Sequence, residues 1–172
     1  MKAAPSLNLH IVHLVHTLNP GGAERLAADM AVALQPAFCV GIVCLDEPGL
    51  WAGRMREQGV PVFCLYRQPG LDLRLGGKLA RFLRDRCVRV VHAHQTTPWF
   101  YAGLARLLGA SARILFEEHG RHYPEVRKPG KALFNRVILQ PMTARFVAVS
   151  ADVKERLVRF EGISRDRIQV VY

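Results

Sequence analysis

His16-Thr17-Leu18-Asn19-Pro20-Gly21-Gly22-Ala23-Glu24-Arg25-Leu26 decides how the rest of the chain is read. An apolar run, LHIVHLVH (residues 9–16), leads into it, and an amphipathic stretch, AERLAADMAVAL, leads out. Asn19, Pro20 and two glycines stand between them, and these are turn residues. The passage reads as strand, tight turn, helix, with bare backbone at the strand's end.

The same alternation continues to the last residue. Strands are expected at 9–16, 38–45, 61–65, 88–93, 113–118, 145–149 and 167–171. Most are unbroken Val, Ile, Leu, Phe and Cys runs, so both of their faces are buried, as in a parallel sheet covered on both sides. Helices are expected between them at 22–35, 49–58, 72–86, 97–108, 131–140 and 150–160. The third carries Leu75, Leu79, Phe82 and Leu83 on one stripe and Arg74, Lys78, Arg81 and Asp85 on the other. Gly76 and Gly77 weaken its first turns. Ser150 and Asp152 open the sixth as N-terminal capping residues. The expected fold is therefore α/β: a Rossmann-like, doubly wound, mainly parallel sheet of about seven strands with helices on both faces. One long irregular stretch, HGRHYPEVRKPG at 119–130, is polar and basic, and such loops carry function more often than packing.

Bulk composition fits one globular domain. The 172 residues are 50% hydrophobic and 22% charged, and no apolar run approaches the roughly 20 residues that span a bilayer. The first apolar run is interrupted by Asn8, His10, His13 and His16, which makes it a poor signal peptide and a good strand. Cys39, Cys44, Cys64 and Cys87 form no C-x-x-C pair and are expected as small reduced core residues of a cytoplasmic protein. Lys and Arg number 24 against 14 Asp and Glu, a formal charge of +10. That excess suits an anionic partner, whether phosphate, acidic membrane or nucleic acid, or a solvated basic surface.

In a doubly wound sheet, ligands bind beyond the carboxyl ends of the strands. Glycine there lets backbone approach a ligand, and a helix starting there offers free N–H groups to a phosphate. Gly21 and Gly22 meet that description, and a plain tight connection needs the same residues. Both the G-x-G-x-x-G and G-x-x-x-x-G-K-[ST] fingerprints are missing. Asp46 ends the second strand, where a nicotinamide enzyme would hold a ribose or an ordinary turn would hold an aspartate. The fourth strand ends in His92-Ala93-His94-Gln95, with both histidines on one face. The fifth ends in Glu117-Glu118-His119-Gly120-Arg121-His122. The winding order makes these strands neighbours of the first, so Gly21, Gly22, His94 and His119 should converge on one crevice. His92 is expected inside the sheet, bonded to backbone. His-x-His with a glutamate is also a metal signature, and no further ligand pattern supports it.

Four blocks then resemble the family 4 (group 1) retaining glycosyltransferases: NPGGAERLA, VVHAHQTTPWFYAGLARLLG, EEHGRHYPE and RFVAVSADVKERLVRFEGISRDRIQVVY. The resemblance runs from about Leu9 to Tyr172. It implies the GT-B architecture, two Rossmann-like domains across a cleft, with this chain as the N-terminal, acceptor-binding one. The donor-binding domain would follow QVVY. It also implies transfer of a hexose from a UDP- or GDP-linked donor to a glycan or lipid-linked acceptor, with retention and without cofactor or metal. Residues 1–172 would then be a single domain with no turnover of its own.

Carried over by position, Gly21 and Gly22 would face the donor phosphates. His119 would contact the donor sugar near the reacting centre as the catalytic residue, and would matter little for folding. His94, Gln95 and Arg121 would line the substrate site. Glu24 matches the family's Gly-Gly-Ala-Glu and gains no role beyond suiting the helix dipole. Arg74, Lys78, Arg81 and Arg84, with Arg121, Arg127, Lys128 and Lys131, would favour peripheral contact with an anionic membrane at its cytoplasmic face; nucleic acid is not expected. Three other readings use the same architecture: a stand-alone binding or regulatory domain, a nicotinamide enzyme using Asp46, and a nucleotide-sugar epimerase.

Overall fold

Why these runs become strands is visible in what covers them. The computed structural model describes residues 8–120, 126 and 128–172. Seven strands, β1 (Ile11–Val15), β2 (Val40–Cys44), β3 (Val62–Cys64), β4 (Val90–His94), β5 (Arg113–Glu118), β6 (Thr143–Ala148) and β7 (Ile168–Val170), form one sheet. Their order is β3-β2-β1-β4-β5-β6-β7 and every pairing is parallel. The order reverses between β1 and β4, and the crevice beyond that point is where such sheets bind ligands.

Helices α1 (Gly22–Leu34) and α2 (Ala52–Glu57) pack Ala27, Ala28, Ala31 and Met55 against Val15, Ile42 and Cys44 on one face. Helices α3 (Leu73–Asp85) and α4 (Thr96–Leu107) pack Leu75, Leu79, Leu83, Trp99 and Ala102 against Leu14, Val43, Ala93 and Phe116 on the other. Trp99 is the anchor of that second core: it stacks on Phe116 at 4.7 Å between centroids, and its Nε1 donates to Thr143 Oγ1 at 2.8 Å. Asp72 caps α3 by accepting from Leu75 N, which fixes the start that Gly76 and Gly77 obscured. Gly76 is buried there because a side chain would run into Leu104 of α4.

The expected loop is shorter than its composition suggested. Pro129 and Gly130 open α5 (Pro129–Phe134), proline being suited to the first helical turn. The helix continues as a π turn, Asn135–Leu139, into α6 (Gln140–Met142). Ser150 caps α7 (Ala151–Arg156) through Val153 N. The cysteine expectation holds for two residues of four: Cys44 is buried and Cys64 half-buried, but Cys39 and Cys87 lie exposed outside the strands. All four thiols are free. Among the described residues no helix is long and apolar enough to cross a membrane.

Candidate functional site

The carboxyl ends of β1, β4 and β5 open into a crevice of about 790 Å³. Gly21, Gly22, Glu24, His16, Gln95 and His119 line it. Gly21 is extended, with φ −167°, and no side chain caps α1 behind it. The first helical bond is Arg25 N to Gly21 O at 3.0 Å, so the amides before it have no partner within the helix. They and the dipole favour a negative group in the crevice. A Cβ on Gly22 would touch nothing within 4 Å, whereas one on Gly21 would collide with the Glu24 carboxylate. The Glu24 carboxylate is the movable end of its side chain, so only Gly22 marks space that is open as it stands.

Gln95 joins β4 to α4 with φ +74°, a conformation rare for a glutamine. Backbone bonds hold it on both sides: Gln95 N to Glu117 O at 2.8 Å and Trp99 N to Gln95 O at 3.2 Å. Strain of this kind costs about 1–3 kcal/mol and gathers at sites where direction matters. Here it turns the chain from strand into helix at the crevice wall.

The histidines occupy one strip of the sheet. His13 pairs in register with His92, and His94 with Glu117. With Val15 two residues on from His13, the strip lies on the face that α1 covers. His94 is only 1% exposed, so it does not line the crevice as expected from its place at the strand's end. β4 runs one residue further than the sequence suggested, and pairing with Glu117 keeps His94 inside the sheet. His119 lies in front of it, with His119 Nε2 2.8 Å from His94 Nδ1. His94 Nε2 in turn lies 3.0 Å from His13 Nδ1. His92 is buried as expected, but its neighbour is Glu117 and not backbone: Nε2 sits 2.8 Å from Oε2 without hydrogen-bond geometry.

Burial keeps His13, His94 and His119 neutral. It pushes His13 down to about 3, reinforced by His92. It pushes His94 well below the ordinary histidine range, reinforced by His92, His13 and His119. His119 is lowered by burial; Glu117 opposes the shift, His92 adds to it and Glu24 opposes it. A neutral His119 offers a ligand one N–H or one lone pair, not a charge.

Asp46 is spoken for. Arg67 Nε donates to Oδ1 at 2.6 Å, Arg67 Nη2 donates to Oδ2 at 3.2 Å, and His16 Nδ1 lies 3.1 Å from Oδ2. Burial alone would raise this carboxyl, but those bonds outweigh it and hold the pKa below the usual value. An aspartate clamped by an arginine is poorly placed to receive a ribose. Arg121 lies outside the described residues. Sequence reasoning gave no role to His13, His16 or Glu24. The period-2 alternation of β1, set beside that of β4, could have placed His13 next to His92.

Residues 20–172 match Glycosyltransferase Family 4, and the chain belongs to that family. Among solved structures, a glycosyltransferase from Rickettsia africae superposes with a TM-score of 0.73 at 19% identity, covering 95% of this chain and 43% of that one. HepE of Anabaena, solved with UDP and glucose, gives 0.72 at 16% identity, covering 96% and 44%. A UDP-GlcNAc 2-epimerase from Neisseria meningitidis gives 0.57 at 19% identity, covering 93% and 46%. These likenesses establish the fold as one Rossmann-like lobe of the GT-B kind. The chain spans less than half the length of each of these structures. No curated protein sequence matches it.

Proposed function

We propose that this chain is the acceptor-side lobe of a retaining, nucleotide-sugar-dependent glycosyltransferase, completed by a donor-binding second domain. The observation that carries this reading is the crevice: uncapped amides of α1, open space over Gly22, and a neutral His119 lining the same space, all at the sheet's switch point. Departure of a nucleoside diphosphate builds charge on phosphate, and donors fixed in advance stabilise it without reorganising. The amides at Gly21 and Gly22 supply part of that field. His119 orients a sugar oxygen, and Gln95 completes the wall. HepE's solved complex with UDP and glucose supports a uridine-linked donor. No metal is required by this half of the site.

This lobe offers the donor only part of its contacts, and catalysis needs both reactants held in one geometry. The purified chain should therefore show no sugar transfer from UDP- or GDP-linked hexoses to glycan or lipid-linked acceptors. The same residues joined to a donor-binding domain should show transfer with retained anomeric configuration. Turnover by the chain alone, or inversion by the longer protein, would sink the reading.

The acceptor side also suggests a lipid surface. Arg74, Lys78, Arg81 and Arg84 are all exposed on α3. A second patch surrounds α5, where exposed Leu133, Phe134 and Val137 neighbour Lys128, Lys131 and Arg136 in sequence. Phe134 shares a groove with exposed Leu71. Lys131 is partly engaged by buried Glu161 at 2.9 Å. Each basic side chain at an anionic bilayer contributes about 1 kcal/mol, falling within a Debye length. Co-sedimentation with anionic vesicles should be strong at low salt, weak at high salt and absent with neutral lipid. Binding indifferent to lipid charge would remove the membrane from the proposal.

A further inference from the structure

His13, His94 and His119 meet end to end. The His13 and His94 centroids are 5.3 Å apart with a 3.0 Å N···N contact, and those of His94 and His119 are 5.1 Å apart with a 2.8 Å contact. In both pairs the centroid separation exceeds the N···N distance by about one ring's width, so nitrogen points at nitrogen. The planes are nearly parallel, at 28° and 15°. Nitrogens aimed at each other at hydrogen-bond distance share a proton between them. A bound metal needs its ligand lone pairs to converge on a point beside them. The three rings therefore form a relay of imidazoles, although His13, His92 and His94, and His94, Glu117 and His119, also bring ligand atoms within 4.8 Å of one another, so zinc enters the test below.

Neutral imidazoles in such a relay have two consistent arrangements. Either every Nδ1–H donates toward the crevice, or every Nε2–H donates away from it. The buried end decides between them. His13 is 0% exposed, and among the described residues its Nε2 has no hydrogen-bond partner. In the second arrangement that atom carries a stranded N–H; in the first it carries only a stranded lone pair. Orphaned buried N–H groups are the rarer and costlier of the two.

We propose that His94 is a positioning residue that, relaying from His13, holds His119 as the Nδ1–H tautomer and so presents a hydrogen-bond donor to the crevice. The ligand atom facing His119 must then be an acceptor, a sugar or phosphate oxygen; that identification alone rests on the glycosyltransferase reading. The tautomer belongs to the free protein and is read without donor, acceptor or second domain.

The experiment is nitrogen-15 NMR of the histidine rings in the ligand-free chain. His119 should show a protonated Nδ1 and a bare Nε2, with a coupling across the hydrogen bond from His94 Nδ1. His94→Leu should shift His119 toward the Nε2–H form that free imidazole prefers. His94→Asn, whose amide N–H₂ stands where Nδ1–H stood, should restore Nδ1–H. One equivalent of zinc should leave all three rings unmoved. A protonated Nε2 on wild-type His119 would overturn the proposal, and that measurement needs no variant to fold. An unchanged tautomer in His94→Leu, or zinc taken up by His13 and His94, would overturn it equally.

Discussion

Gly49→Ala should unfold this protein at a markedly lower temperature. Gly49 has φ +76°, and a Cβ there would sit against the backbone of Leu18 and Asn19. The left-handed conformation alone costs about 1–2 kcal/mol for an alanine. Collision with backbone cannot be relieved by a rotamer, so the total should reach about 4 kcal/mol, at the severe end for single substitutions. For a domain of this size that lowers Tm on the order of 10 °C. Gly70→Ala is the control: φ is +82°, but nothing lies within 4 Å of its Cβ. It should lose only the conformational part. Equal losses in the two variants would show that the close approach contributes nothing.

The loop around Gly49 also explains how the glycine turn is held still. Leu18 N donates to Pro48 O at 3.2 Å, and Trp51 N donates to Leu18 O at 3.0 Å. Asn19 Nδ2 reaches Glu47 Oε1 at 2.7 Å, while its Oδ1 accepts from Leu50 N at 3.0 Å. The segment after β2 thus clasps the segment after β1, two residues before Gly21. A Cβ at position 49 would push on that clasp, so the stability loss and a displaced glycine turn have one cause.

Fold and crevice were legible in sequence for one reason: period. Continuous apolar runs separated by amphipathic ones admit few architectures, and the right-handed crossover rule fixes the winding. That alone places β1, β4 and β5 side by side. What sequence could not show was depth. His94 and His119 look alike as strand-end histidines, yet one is sealed by the pairing of β4 with β5 and the other faces the crevice. Gly49 was expected to open the second helix at 49–58, and nothing in the sequence marked its contact with Leu18, 31 positions away. Contacts of that range leave no periodic trace. Pro129 and Gly130 were read as loop, but a proline suits the first helical turn as well as it suits a loop, and here it opens α5.

His119→Ala should be the most damaging single change to activity in a protein that joins this chain to a donor-binding domain. A fixed donor aimed at charge or a sugar oxygen in the transition state is typically worth about 10²-fold in rate. The loss should appear in kcat, with KM changed much less, because the contact tightens as the sugar loses its leaving group. Sequence position alone suggested little cost to folding. The structure adds one, because His119 is the hydrogen-bond partner of the buried His94 Nδ1. Removing it strands that nitrogen, at about 1–3 kcal/mol. Both effects can be read from one preparation, with Tm measured first and kinetics run well below it. Near-normal kcat would take His119 out of the chemistry. A normal Tm beside a large kcat loss would instead mean that solvent refills its place at His94, and that its work is done wholly at the ligand.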